Sequence, residues 1–500
     1  MDAYAQGLKL SVQGRHAEAI EQFERALVVK PDDTRTLFAL GNTARVLGMK
    51  QPAEQFFRRV LALEPGRLEA LVNLANLLRA DGQFTAAEAL LAPALARNPD
   101  APELWLTLGS TWREMGDSER ARAHYRQAIA LRPNYAAALS NLADLAADDG
   151  GHDEAMALYD GALAAEPDSA QARMNRAILH LLRGELTEGW RDYAARLKVP
   201  GKVPLPDHDL RRWSGGNLKR TRLLIRAEQG VGDQIMFASM FPELCARAMR
   251  EQGRLILECE PRLVDLFARS FPSAKVHAWD AETRAGVVRT HYDWLKQKGG
   301  ANAAIEMGSL PRYLRKSIQS FPSPNVYLKP DPREQERWRT AFAPLPRPLI
   351  GLCWRSGLTG GARAVQYAPL EAWAEFLRNV EGTPICAQYD GTADEIAALS
   401  RLSGRDILVP QGIDQKQDLD RAAALFSTLD VMVSAPTAVS WLGASVGVTT
   451  LKILYDTSWT SFGECFEPFA PVARCLMPAR RGDWADVLAQ ARRAISRLPD

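Results

Sequence analysis

The chain has 500 residues, 46% hydrophobic and 24% charged, which is the balance of a soluble protein with more than one core and excludes extensive disorder. Its 62 basic and 60 acidic side chains leave a formal net charge of +2. That near-neutrality excludes a broad polyanion-binding surface of the nucleic-acid kind.

Met1 to Leu10 has no basic n-region or apolar h-region, and no apolar run reaches membrane-spanning length, so a cytoplasmic protein is expected. A period then dominates: Pro31, Pro65, Pro99, Pro133 and Pro167 stand 34 residues apart, as do Gly14, Gly48, Gly82, Gly116, Gly150 and Gly184. Ala19, Ala53, Ala87, Ala121 and Ala155 keep the same spacing, with Phe23, Phe57, Leu91, Tyr125 and Tyr159 four places on. Glycine permits the turn after a first helix, alanine allows close helix approach, the large residue fills the groove, and proline stops the second helix. A 34-residue helix-turn-helix unit with these positions is the tetratricopeptide (TPR) repeat pattern, and its units bury their apolar faces only by stacking. About six repeats over residues 1–197 are expected. The sixth departs, with Gly189 at the alanine position and Arg196 where Ala162 stands one period earlier, and it reads as a cap.

Asn73, Asn141 and Asn175 share one register of the repeat, interrupted by Ala39 and Thr107, and Asn42 and Asn76 share another three places on. On the concave face of a superhelix a side-chain amide can donate to a peptide carbonyl and accept from its N–H, so these asparagines are peptide-binding candidates. The alternative is that they are solvated or cap local turns.

Residues 198–217, with Pro200, Gly201, Pro204 and Pro206, read as a linker. Beyond it, strand-like runs at Arg222–Arg226, Arg254–Cys259, Leu349–Trp354, Pro384–Gln388, Asp406–Val409, Asp430–Ser434 and Thr449–Leu454 alternate with helical ones. The helical segments are Asp233–Arg250, Pro369–Val380, Thr392–Leu402, Asp418–Leu429 and a last one, Trp484–Leu498, that could pack back across the lobes. The alternation predicts two Rossmann-like lobes facing one cleft, residues 218–335 and 336–500, with ligands where strand C-termini meet. All six cysteines, Cys245, Cys259, Cys353, Cys386, Cys465 and Cys475, lie in this half without Cys-x-x-Cys spacing and read as reduced core thiols.

The first strand runs into Glu228-Gln229-Gly230-Val231-Gly232-Asp233-Gln234 and a helix. Gly230 and Gly232 let backbone approach a ligand, and Asp233 at the helix start can cap free N–H groups or act as a base. The third glycine of a dinucleotide fingerprint is absent, which argues against a dehydrogenase. In the second lobe Ser356 and Gly357 follow a strand as a phosphate-approaching loop would, with Arg355 and Arg363 as cations. Thr437 opens a helix after another strand, and its hydroxyl and the following N–H groups can hold a phosphate oxygen or simply cap the helix, as Ser434 can. Trp354 and Trp441 can stack on a base or pack in the core. Gln388 and Tyr389, ending another strand, are further donor-site candidates. No acidic cluster with metal spacing stands near these loops, so a metal-independent reaction is expected.

Trp213 to Leu218, Leu223 to Ile225, Glu228 to Asp233, Phe237, Gly308 to Pro311, Gly351 to Gly357 and Leu429 to Gly447 resemble TPR-linked GT-B glycosyltransferases related to heptosyltransferases and O-GlcNAc transferases. Trp354-Arg355-Ser356-Gly357 with Ser434-Ala435-Pro436-Thr437-Ala438 is most similar to the flagellin-modifying branch. The resemblance implies a TPR solenoid joined to an α/β GT-B fold. It also implies O-glycosyl transfer of a nonulosonic acid, such as pseudaminic or legionaminic acid, from a nucleotide donor to Ser or Thr of a protein such as flagellin. On this reading Asp233, then Glu228, is the catalytic base. Gly230, Gly232, Gln234, Trp354, Arg355, Ser356, Gly357, Arg363, Gln388, Tyr389, Ser434, Pro436, Thr437 and Ala438 bind the donor, with no separate cofactor, nucleic acid or membrane span. Pro436 and Trp441 replace the acid and histidine of heptosyltransferase-like members, which turns the expected donor from ADP-heptose toward a CMP-linked acidic sugar. The competing reading is a non-catalytic TPR adaptor or export chaperone with a degenerate transferase domain.

Overall fold

In the computed structural model, residues 2–284, 287–296, 300–321, 326–357, 366–390 and 393–498 are described. They form two compact units, Met1–Asn175 and Arg176–Asp500.

The first unit is a run of antiparallel helix pairs: α1 (Ala3–Val12) with α2 (His16–Val29), α3 (Thr34–Val46) with α4 (Lys50–Leu63), and α5 (Leu68–Ala80) with α6 (Phe84–Arg97). α7 (Pro102–Glu114) pairs with α8 (Ser118–Leu131) and α9 (Ala136–Asp148) with α10 (His152–Ala165). Each periodic proline stands two residues past a second helix, and each periodic glycine follows a first helix with φ between 73° and 84°. That is the left-handed region in which a Cβ costs energy. The periodic alanines are 0% exposed, and the large residues four places on are almost as fully buried. A Cβ on Gly41 would come within 2.6 Å of the Phe57 ring, and one on Gly109 within 2.8 Å of Tyr125, so the ring takes the room that the missing side chain leaves.

The second unit begins in α11 (Ala170–Leu182), continues through α12 (Leu186–Tyr193), and then builds two sheets. The first is five-stranded and parallel, ordered β2 (Arg211–Arg212), β8 (Ala303–Glu306), β3 (Arg222–Arg226), β4 (Arg254–Cys259), β5 (Lys275–Ala278). β1 (Leu205–Pro206), β6 (Ala281–Arg284) and β7 (Val287–Thr290) form a small separate sheet, so the proline-rich linker contributes two short strands. The segment expected as one helix is broken into α13 (Val231–Ala238) and α14 (Phe241–Arg250), because Pro242 starts a new helix where it lacks an N–H to continue the old one. α15 (Val264–Ser270) and α16 (Pro311–Leu314) complete this lobe, and α17 (Pro332–Phe342) leads to the next.

The second sheet runs β10 (Thr383–Cys386), β9 (Leu349–Cys353), β11 (Val431–Ser434), β12 (Thr449–Ile453), β14 (Ala470–Leu476), with β13 (Phe466–Glu467) antiparallel at the edge. β9 and β11 are buried along their whole lengths, as central parallel strands covered on both faces must be. Asp406–Val409, expected as a strand, makes only an isolated bridge from Leu408 to Ile385. α18 (Leu370–Arg378), α19 (Ala393–Ser403), α20 (Leu419–Phe426), α21 (Ala438–Ser445) and α22 (Trp484–Ile495) belong to this lobe. α22 does not cross back: Val487, Leu488, Ala491 and Ile495 pack into the second lobe's own core with Ile350, Trp373 and Val433. Five cysteines are buried free thiols, but Cys465 is exposed and is not part of a core. Among the described residues no helix is long and apolar enough to cross a membrane.

Candidate functional site

Each large sheet reverses its winding once. In the first, β4 and β5 lie on one side of β3 and β8 on the other; in the second, β10 lies on one side of β9 and β11 on the other. Loops leaving strands that flank such a reversal diverge and open a crevice. The sequence motifs fall at these two points.

In the first lobe, Glu228 follows β3 and Gly308 follows β8. The Glu228 carboxylate is not free to take a proton from a substrate. Its Oε1 accepts from Arg196 Nη2 at 2.7 Å and from the Gly308 N–H at 2.7 Å, and its Oε2 accepts from Arg196 Nε at 3.1 Å. The two side chains are 1% and 0% exposed. Glu228, the second candidate base, is therefore a structural anchor of the glycine turn. Gln234 is buried in the same way, donating to the Gln229 carbonyl and accepting from the Glu260 N–H, so it too holds backbone.

Asp233 is the third residue of α13, whose N-cap is Gly230. Its carboxylate accepts from the Gly230 N–H, as a cap would. Burial, and then the nearby negative charge of Glu228, raise its pKa to about 6 against the weaker pull of that N–H and of Lys202. A carboxylate tuned toward neutrality at a crevice is suited to general-base work. Gly232 faces the other lobe: a Cβ there would lie 3.2 Å from the Ala438 Cα at the start of α21. The two helix N-termini thus meet through small residues.

In the second lobe the strand ends are tied to one another. Gln388 is buried, and its Oε1 accepts from the Trp354 and Arg355 N–H groups while its Nε2 donates to the Arg355 carbonyl and to Asp390. Trp354 is 2% exposed and donates through Nε1 to Glu395, so it is a core residue and not a base-stacking platform. Trp441 is likewise buried, with Lys452 Nζ 4.4 Å from its ring centroid. Arg355 reaches Glu395 with two bonds of 2.8 Å and Asp390 with one of 3.1 Å, so two carboxylates already balance the charge expected for a phosphate. It also donates to the Ser356 carbonyl, and the Gly357 N–H donates to the Tyr389 hydroxyl at 2.6 Å. Ser434 is fully buried and bonds its own loop at the Ala435 carbonyl; Thr437 is the N-cap of α21, accepting from the Val439 N–H; Pro436 is exposed. Arg363 lies outside the described residues.

Between the lobes is a cavity of about 200 Å³ whose wall includes Val231, Arg262, Tyr389, Gln415, Lys416 and Ala438. Arg262 is paired with Glu260 and donates to the Lys416 carbonyl at 2.7 Å, bridging the lobes. Arg262 lies in a short 3-10 turn, Pro261–Leu263, and Gln415 and Lys416 in a loop, and no sequence signal marked them. Among the described residues no group of three or more His, Cys, Asp or Glu could hold a metal ion.

In the first unit the asparagine registers meet across repeats. Asn73 Nδ2 donates to Asn42 Oδ1 at 3.0 Å, Asn141 to Ser110 Oγ at 3.2 Å, and Asn175 to Asp144 Oδ1 at 2.9 Å, each spanning 31 residues. Ser110 and Asp144 hold the register of Asn42 and Asn76, which makes the ladder more continuous than its asparagines alone. Asn76 is exposed and accepts from Arg79.

Residues 48–110 match one tetratricopeptide repeat family model, and residues 4–67, 106–165 and 141–201 match a second. The N-terminal part is built of TPR repeats. Protein FlbA of Caulobacter vibrioides is 32% identical over 323 residues, 64% of this chain and 54% of that protein, so the chain spans about half the length of the curated relative it matches. Among solved structures, a thermophilic TPR protein of Thermus thermophilus is 29% identical, covering 36% of this chain and 97% of that one with a TM-score of 0.32. A TPR protein of Parabacteroides merdae is 20% identical, covering 39% and 77% with a TM-score of 0.33.

Proposed function

We propose that the chain is a protein O-glycosyltransferase of GT-B type, in which the repeats recruit a protein acceptor such as flagellin and the α/β lobes transfer a nonulosonic acid to its Ser or Thr. The observation that carries this reading is the meeting of two strand-reversal crevices at α13 and α21, where Asp233, its pKa raised to about 6 by burial, stands two residues from Val231 in the wall of an interlobe cavity. Asp233 accepts the proton of the acceptor hydroxyl while that oxygen bonds to the anomeric carbon. The bond from this carbon to the donor phosphate breaks, and its electron pair leaves with the phosphate. The start of α21 directs N–H groups toward the departing anion. The adaptor reading draws on one specific observation, the neutralisation of Arg355 by Glu395 and Asp390.

Nucleotide protection separates the two. A ligand that binds only the folded chain raises its melting temperature by mass action. CMP is expected to raise it more than ADP or UDP. A larger shift with ADP or UDP would discard the nonulosonic acid and keep the transferase, and no shift with any nucleotide would favour the adaptor.

A further inference from the structure

At the register of Val60, Ala94, Ala128 and Ala162 the repeat places a buried apolar contact, and all four are at most 1% exposed. One period after Ala162 that position holds Arg196, also 1% exposed. A guanidinium in a buried apolar register is costly unless it is fully paired, so its partners are informative.

All of them lie in the second unit. Besides the two bonds to Glu228, Arg196 Nη2 donates to Ser309 Oγ at 2.8 Å after β8, and Nη1 donates to the Tyr193 carbonyl at 3.1 Å. Tyr193 occupies the aromatic position of the same repeat unit. Its ring centroid lies 4.6 Å from the guanidinium carbon, and its hydroxyl accepts from Gln229 Nε2 at 2.9 Å. Trp190 sets the helix edge-on against Trp459, Phe462 and Phe469. The sixth unit thus grips residues 228 and 229 from one side, Gly308 holds Glu228 from another, and Gln234 ties the carbonyl of residue 229 to the helix that carries Asp233.

We infer that Arg196 is a positioning residue for the Asp233 turn, this register of the sixth repeat unit having exchanged its packing role for a clamp on Glu228 and Gln229. The inference rests on the transferase reading for its catalytic consequence but not for its structural one. The charged and titratable groups that act on Asp233 are Glu228 and Lys202, with Tyr193 facing it as well.

The test uses the full chain, comparing wild type, Arg196→Lys, and a control in the same segment, Arg176→Lys, which loosens the separate Arg176–Asp192 pair. Hydrogen exchange is followed for the peptide 226–236, together with kcat, KM and the pH profile of transfer. Arg196→Lys is expected to speed exchange there by about tenfold. It should also lower kcat by about 10²-fold, as a misplaced base does, with KM values nearly unchanged. Arg176→Lys should do neither. Should Arg196→Lys fail to fold, Glu228→Gln keeps the shape and removes the charge, and it should move the acidic limb of the profile to lower pH. Unchanged exchange in Arg196→Lys, an equal effect of Arg176→Lys, or an unmoved limb in Glu228→Gln overturns the inference. No transfer by wild type with exchange still dependent on Arg196 removes the transferase reading and leaves the clamp standing.

Discussion

At the scale of single residues, one substitution separates the capping contact of Asp233 from the base role proposed for it. An ordinary aspartate titrates near about 3.9, whereas Asp233 does so at about 6. A folded-state pKa raised above the unfolded one means that its favourable contribution to stability is complete below about pH 4 and is lost as pH rises through 6. Asp233→Asn should therefore melt no lower than wild type at pH 8, and higher if the amide keeps the Gly230 contact, with the difference vanishing near pH 4. Transfer should fall by about 10²- to 10⁴-fold, as loss of a general base does. Calorimetry at the two pH values checks the first claim, and a lower melting temperature at pH 8 would make Asp233 a cap alone. The place of Asp233 in the first turn of a helix was legible because strand, glycine turn and helix follow one another in the chain. The ion pairs that occupy Glu228 and Arg355 were not legible, since their partners stand 32, 35 and 40 residues away and only folding brings them together.

At the scale of elements, the solenoid was readable almost helix by helix because its rules are local: a proline two residues past each second helix and a left-handed glycine after each first. The asparagines were readable as a register but not as a bond. Asn73 spends its amide hydrogen on Asn42 of the neighbouring repeat, whereas exposed Asn76 accepts from Arg79 of its own helix. Asn73→Ala should accordingly cost about 1 kcal/mol in urea unfolding, and Asn76→Ala should stay within about 0.5 kcal/mol. Equal costs would show that the inter-repeat bond does not stitch the array. In the α/β half, apolar runs such as Leu349–Cys353 announced central strands, while Lys275–Ala278, Ala303–Glu306 and Ala470–Leu476 were missed. Their polar or alanine-rich sequences take strand form only through neighbours that are distant in the chain.

At the scale of the whole molecule, the compact units divide after Asn175 and not at Leu197, although the 34-residue period runs on. The sixth unit keeps the repeat's glycine at Gly184 and its aromatic at Tyr193, and it uses Trp190, Tyr193 and Arg196 on groups of the α/β lobes. A truncation at Leu197 would remove the partner of a fully buried carboxylate, so the fragment that isolates the lobes starts at Arg176. The central claim is that the lobes transfer a sugar and the repeats bring the acceptor. Intact-mass spectrometry of flagellin incubated with a CMP-linked nonulosonic acid tests it most directly, using the full chain, Asp233→Asn, and a fragment beginning at Arg176. The account predicts a sugar-sized mass increase with the full chain, none with Asp233→Asn, and a much slower one with the fragment. Flagellin that stays bound to the full chain but gains no mass from any nucleotide sugar would contradict it.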